Sequence, residues 1–395
     1  MPSAELPVAV IGAGWMGHVH ARSYARVVQH WPALPLRPRV AAVAEAVPSA
    51  AQAFAAAHGD VAVHEEWRAV LADPAIAAVS VTAPNFLHRE IGVAVAEAGK
   101  HLWIEKPVGL ARADAEAVRD AVEANGVVGC VGFNYRNVPA VARARRIIQD
   151  GGIGIPTHAR VQLFTDYAAH PGSPFGWRYA VARGGHGVVG DLASHGVDLL
   201  GFVLGDVDSL VAQTAIHIPK RPLVEAQGHY SVVDTDDPNV EFGDVENEDY
   251  VVALLRMRGG ALAVCEANRA AVGEQNNYAL EVHGTKGLIR WDFRRPGELA
   301  VSSGTAYAGQ PTATLFSEPG DGEYAAFQPG AGIAMGYDDT KVIEARNFLT
   351  AIADGRVGSS VEGAHATLAD AVASATALDA MVTSHETGQW IDLPR

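Results

Sequence analysis

Across the first 130 residues, short apolar runs alternate with longer stretches in which apolar positions recur every three or four residues. The runs are PVAVI (7–11), VAAVA (40–44), AVSVT (78–82), HLWI (101–104) and VVGCVGF (127–133). None alternates strictly between apolar and polar, so each predicts a strand covered on both faces. The helical stretches between them predict parallel crossovers. Together they describe a doubly wound α/β domain. From about residue 155 the pattern changes. HARVQLF (158–164), DYVVALLRM (249–257), ALAVCEA (261–267) and YALEVHG (278–284) follow one another through glycine turns, which predicts an antiparallel sheet. Helical patterns over 338–353 and 361–383 close the chain. The expected division is an α/β domain over 1–133 and an α+β domain over 134–395.

Composition changes this picture little. With 395 residues, 49% hydrophobic and 19% charged, the chain has room for two cores. A net charge of −15 argues against nucleic acid or an anionic membrane as partner. Cys130 and Cys265 are too few for a disulfide framework, which fits a reducing cytoplasm. No apolar run reaches the length of a membrane span, and the N-terminus reads as a first strand. Residues 225–249 carry nine acids and no lysine or arginine, from Glu225 to Asp249. Without metal-ligand spacing, the run reads as a solvated loop.

The first strand runs into IGAGWMG, which sets Gly12, Gly14 and Gly17 in the spacing G-x-G-x-x-G and then opens a helix. Such a turn lets the backbone approach a pyrophosphate and points helix N–H groups at it, so it predicts a Rossmann dinucleotide site. Glu45, at the end of the second run, supplies the carboxylate that accepts a ribose 2′-hydroxyl and repels a 2′-phosphate, which selects NAD over NADP. It lies late because HWPALPLRPR (30–39) reads as an inserted loop, and Arg37 and Arg39 in that segment leave NADP as the second choice.

Two further strand ends carry polar clusters. SVTAPNFLH (80–88) brings Thr82, Ala83, Pro84, Asn85 and His88, with His88 either a helix-start hydrogen bond or a cofactor-pocket residue. LWIEKP (102–107) puts Glu105 and Lys106 where the nicotinamide end of such a sheet lies. Lys106 is either one half of a salt bridge or the group that holds a substrate hydroxyl. In GDLASHGVDLL (190–200), Asp191 and His195 are four apart on one helical face, either a cap with a core histidine or an acid–base couple. Histidine titrates near 6.5 and lysine near 10.4, so His195 needs almost no tuning to take a proton at neutral pH. Lys106 then polarises the hydroxyl and Asp191 orients it. The reverse assignment, Lys106 as base, stays open.

This set of motifs, from GAGWMG through TAPN-x-x-H and E-K-P to G-D-x-x-x-H, resembles the Gfo/Idh/MocA family of NAD(P)-dependent oxidoreductases. The resemblance implies Lys106, Asp191 and His195 as the catalytic set, with Trp15, Met16, Pro84, Asn85, Glu105 and Arg136 beside the cofactor. It implies a cis bond between Lys106 and Pro107, and a second domain whose large open sheet carries substrate binding and assembly into homodimers or homotetramers. DYAAHPGSPFGWRY (166–179), VENEDYVVALLR (245–256) and MGYDD (335–339) look most like its levoglucosan and glycoside 3-dehydrogenase branch. That branch implies oxidation of a ring hydroxyl at C3 of a sugar, with Tyr135, Trp177, Arg178, His186 and Tyr337 about the substrate. Alternatives are a cyclitol dehydrogenase, an NAD-binding sugar sensor without turnover, and an enzyme that uses NAD transiently to eliminate a substituent. The Glu45 reading predicts a higher kcat/KM with NAD than with NADP in side-by-side kinetics, and a clear NADP preference overturns it.

Overall fold

The computed structural model describes residues 4–224, 231–356 and 365–394. In chain order, the first elements are β1 (Ala4–Ile11), α1 (Trp15–His30), β2 (Leu36–Ala44), α2 (Pro48–His58), β3 (Ala62–His64), α3 (Trp67–Ala72) and β4 (Ala78–Val81). Then come α4 (His88–Glu97), β5 (His101–Ile104), α5 (Arg112–Ala124), β6 (Gly129–Val131), α6 (Pro139–Gln149) and β7 (Pro156–Phe164). A short α7 (Val181–Gly184) leads to α8 (Ser194–Leu204), β8 (Val207–Ala215), β9 (Lys220–Pro222) and β10 (Phe242–Asp244). A run of strands follows: β11 (Tyr250–Met257), β12 (Leu262–Asn268), β13 (Asn277–Gly284), β14 (Gly287–Asp292), β15 (Glu298–Ser303) and β16 (Ala313–Phe316). The chain ends with α9 (Tyr337–Ala353), α10 (Leu368–Thr387) and β17 (Ile391–Asp392).

Two compact units divide the chain, and neither is continuous in sequence. One comprises Met1–Val138 and Glu318–Val372, the other Pro139–Ser317 and Ala373–Arg395. The first is built on a parallel sheet of order β3-β2-β1-β4-β5-β6, the Rossmann order. Four of the five predicted runs fall on β1, β4, β5 and β6, and the fifth falls within β2. Two details differ from expectation. The segment read as a loop is strand from Leu36, because β3 pairs only with Ala42–Ala44 and Pro38 lies where that side of β2 needs no donor. The three-residue β3 is too short to show a period.

The helix α9, which the linear division assigns to the second domain, packs inside the first unit. Val342, Ala345, Phe348 and Leu349 join Val8, Tyr24, Trp103 and Cys130 in one buried cluster. A smaller cluster of Val10, Val43, Phe54 and Val61 lies beside α2.

In the second unit, nine strands form one sheet of order β16-β15-β14-β13-β7-β12-β11-β8-β17. All pairs are antiparallel except β7 with β12. Strict alternation buries Val251, Ala253 and Leu255 of β11 and Ala263, Cys265 and Ala267 of β12. On the other face Leu254 and Leu262 are 50% and 56% exposed. The helical stretch Val181–Leu204 has the length and mean composition of a membrane span, but 78% of its apolar window is buried inside the fold, as in a core helix.

Phe348→Ala should cost about 3–5 kcal/mol in urea unfolding of the first unit, as expected for an emptied aromatic site in a closed core. A loss under about 1 kcal/mol would separate α9 from that core.

Candidate functional site

The first unit gathers the cofactor candidates at the carboxyl ends of β1, β2, β4 and β5. Beyond β1 the chain turns at Gly12, whose φ of +99° favours glycine. A Cβ there would stand 2.8 Å from the backbone of Thr82 and Ala83. Thr82 Oγ1 donates to the Gly12 and Ile11 carbonyls, at 2.7 and 3.1 Å, which ties the ends of β1 and β4 together. Gly14 caps α1, and a Cβ on it would meet no protein atom within 4 Å. The first turn of α1 holds no acid, so the positive end of its dipole is left for an anionic ligand. These features fit the pyrophosphate of a dinucleotide. Glu45 accepts the Ala13 N–H at 2.8 Å and the Val47 N–H at 3.0 Å, which stations its carboxylate between β2 and the glycine loop. That is the position from which an acid reads a ribose.

Trp15, 58% exposed, stacks on Tyr337 with centroids 5.3 Å apart, and the Tyr337 hydroxyl reaches Met16 Sδ at 3.8 Å. Tyr337 thus lies against the glycine loop within the first unit. His88 is buried, with Nδ1 and Nε2 each 2.7 Å from a main-chain carbonyl, of Pro107 and Ala83 respectively. It thus ties the turn after β4 to the turn after β5, and burial lowers its pKa despite both carbonyls. The Lys106–Pro107 bond is cis.

Glu105 differs from expectation. Its carboxylate is turned into the core, where Oε1 accepts from His20 Nε2 at 3.0 Å and from Lys341 Nζ at 2.5 Å. An ionised carboxylate at a buried strand end needs donors, and the nearest are inside the unit. A Cβ at position 132 would strike it, so Gly132 makes room for the inward rotamer. Arg136, in the buried turn Asn134–Asn137 with Tyr135, pairs with Asp370 at 3.0 Å. Burial alone would raise the Asp370 pKa, but Arg136 and the Thr367 N–H hold it low.

The second unit carries Asp191 and His195. Val189–Ala193 forms a widened π-type turn, closed by the Ser194 N–H on the Val189 carbonyl, and it leads directly into α8. Such turns recur at functional sites. Asp191 Oδ2 accepts a 2.7 Å hydrogen bond from the Tyr167 hydroxyl. Burial and the neighbouring Asp191 charge push the Tyr167 pKa well up, so the hydroxyl stays a donor. His195 is 6% exposed and followed by Gly196, where a Cβ would come within 2.7 Å of Leu163 and 3.0 Å of Cys265. The glycine lets α8 settle on the sheet and fixes the depth of His195.

The acid run behaves as a solvated loop only in part; Glu225 lies outside the described residues. Asp249 is fully buried and pairs with Arg269 at 2.8 Å. Glu248 accepts the Val189 N–H at 3.1 Å, and Asn247 donates to the Arg178 and Gly185 carbonyls at 2.8 and 3.0 Å. The end of the run is thus the frame of the Asp191 turn. Among the described residues no cluster of His, Cys, Asp or Glu is placed to hold a metal. His186 faces Asp379 at 3.2 Å; burial opposes its protonation, but Asp379 and Glu248 raise its pKa. The Arg178 guanidinium lies 4.3 Å over the Trp177 ring.

Sequence reasoning missed His20, Tyr167, Lys341 and Glu344. One signal was present: Tyr337, Lys341, Glu344 and Phe348 repeat at helical spacing, so two charges share a face with core residues.

Comparison with known proteins agrees with this geometry. Residues 6–133 match the family described as "Oxidoreductase family, NAD-binding Rossmann fold", and 141–290 match the "GFO/IDH/MocA C-terminal domain". Levoglucosan dehydrogenase of Pseudarthrobacter phenanthrenivorans is 35% identical over 99% of each chain. Inositol 2-dehydrogenase of Rhizobium meliloti is 29% identical, covering 84% of this chain and 91% of its own. A solved structure of levoglucosan dehydrogenase with NADH and levoglucosan superposes with a TM-score of 0.90, at 34% identity, covering 99% of this chain and 100% of its own. With the glycine loop, the E-K-P turn and the Asp191–His195 helix all in place, the chain belongs to the Gfo/Idh/MocA family of NAD-dependent oxidoreductases.

Proposed function

We propose that this oxidoreductase reversibly oxidises a secondary ring hydroxyl, at C3, of a sugar, anhydrosugar or glycoside. The observation that carries the reading is the full-length likeness to levoglucosan dehydrogenase. Bound NAD supplies the hydride acceptor. Gly12, Gly14, Gly17 and Glu45 hold it, with Trp15, Met16 and the turn Thr82–Asn85 alongside. Lys106 holds and polarises the reacting hydroxyl, His195 takes its proton, and Asp191 orients both. Tyr135, Trp177, Arg178, His186 and Tyr337 bind the rest of the ring. A cyclitol is the second substrate class, favoured by the match to inositol 2-dehydrogenase. The exposed sheet face with Leu254 and Leu262 is where a second copy of the chain packs.

Asp191 performs this role only if its carboxylate keeps one orientation, and Tyr167 supplies the bond that does so. A hydrogen bond to a charged group contributes about 1.5–3 kcal/mol, or about ten- to hundredfold in rate if it is all expressed in the transition state.

The test is reduction of NAD over a panel of levoglucosan, alkyl glucosides and inositols. Lys106→Met and His195→Ala should each lower kcat by at least about a hundredfold while NADH still binds within about threefold of native. Native turnover in both variants overturns the assignment. Tyr167→Phe should lower kcat by about tenfold or more with KM for NAD unchanged. A variant with native kcat would leave Tyr167 with a packing role alone.

A further inference from the structure

Behind the E-K-P turn lies a buried ionic cluster that the reaction chemistry does not use. Lys341 of α9 is fully buried, and its ammonium donates to Glu105 at 2.5 Å and to the Gly132 carbonyl at 3.3 Å, with Glu344 Oε2 at 2.8 Å. Two of its N–H donors are thus bonded, and Glu344 faces it as an ion pair. Glu344 is 1% exposed, and Trp103 of β5 is its neutral polar neighbour. The His20 ring, bonded to Glu105, stacks on Trp103 with centroids 3.6 Å apart. Two carboxylates thus share one cation in a closed core, and a second negative charge is expensive there. Glu105 has both Lys341 and His20, so it is the one that stays ionised.

We propose that Lys341 and Glu344 are positioning residues for the cofactor. Lys341 holds Glu105, and through it the turn carrying Lys106, while the charge on Glu344 biases the site between oxidised and reduced nicotinamide. The inference rests on the reading of that turn as the nicotinamide end of the site. The oxidised ring carries a positive charge and the reduced ring none, so a negative charge appearing behind the turn favours the oxidised form.

The other described groups around the cluster are shifted away from neutral pH. Burial holds His20 down at about 4. Burial also raises Tyr24 of α1, Cys130 of β6 and Tyr337 of α9 far above neutrality. His88, which feels Glu105, is shifted down by burial. For Glu105, burial works upward, but Lys341 and His20 hold it low. For Lys341, burial works downward, but Glu105 and Glu344 hold it high. Glu344 moves the other way, toward neutrality: burial pushes it up to about 7 against the pull of Lys341, and Glu105 adds to the rise. A carboxyl raised on folding stabilises while protonated. That contribution is complete below the ordinary carboxylate range and is lost as pH rises from there through about 7.

The experiment compares native enzyme with the isosteric Glu344→Gln, measuring Kd for NAD and for NADH by fluorescence, without any sugar, from about pH 6 to about pH 8.5. In the native enzyme the ratio of Kd for NAD to Kd for NADH should fall by at least about threefold over that range, and in E344Q it should stay flat. E344Q should also gain in Tm relative to native as pH rises from about 4.5 to about 7, and hold that gain above it. Lys341→Met should weaken both cofactor forms about tenfold; if it does not fold, E344Q decides alone. Parallel ratio profiles for native and E344Q overturn the proposal, even where the Tm difference appears. Because no sugar is present, a failure to find a sugar substrate leaves this result standing, and sugar turnover with a flat ratio sinks only this inference.

Discussion

A carboxylate at the end of a strand buried on both faces is tolerated only when donors reach it, and the first unit is organised around that requirement. Glu105 follows β5, the penultimate strand of the parallel sheet. Its donors come from two helices, His20 on α1 and Lys341 on α9. The same contacts bring Trp103, Tyr24 and Phe348 together in one core. Polar and apolar packing are thus one arrangement. Removing a partner would expose Glu105 to an apolar interior, whereas removing a methyl group would leave only a cavity.

The second unit solves a similar problem differently. Asp249 and Arg269 form a buried pair, and Asn247 extends it to the glycine-rich segment before Asp191. Tyr179 lies under two guanidinium groups, Arg221 at 4.3 Å and Arg269 at 4.8 Å. Flat cations over an aromatic face are stabilised without a second carboxylate. The loop of Gly184, Gly185 and Gly187 offers no side chains, and Asn247 and Glu248 hold it against the start of the Asp191 turn.

The parts of this arrangement that could be read from the chain are those with local signals. Apolar runs of four or more residues marked the inner strands, and G-x-G-x-x-G and E-K-P marked their ends. Strand β3 escaped because three residues carry no period, and Pro38 disguised the start of β2. The inward turn of Glu105 escaped for another reason: its partner Lys341 lies 236 residues away. A local pattern shows that a charge sits at an awkward place, but the identity of its counter-charge is a tertiary fact. The acidic run misled in the same way, since only pairing distinguishes buried Asp249 from exposed Asp237.

The interleaving of the two units along the chain bears on synthesis. A ribosome delivers all six strands of the parallel sheet, and the glycine loop with them, well before Glu318–Val372 emerges. Until then the nascent domain has every feature by which a dinucleotide would be recognised, yet it lacks the helix that neutralises its interior carboxylate and fills the space beside Trp103. The cofactor unit therefore cannot be completed before eight of the nine strands of the other unit's sheet have been translated.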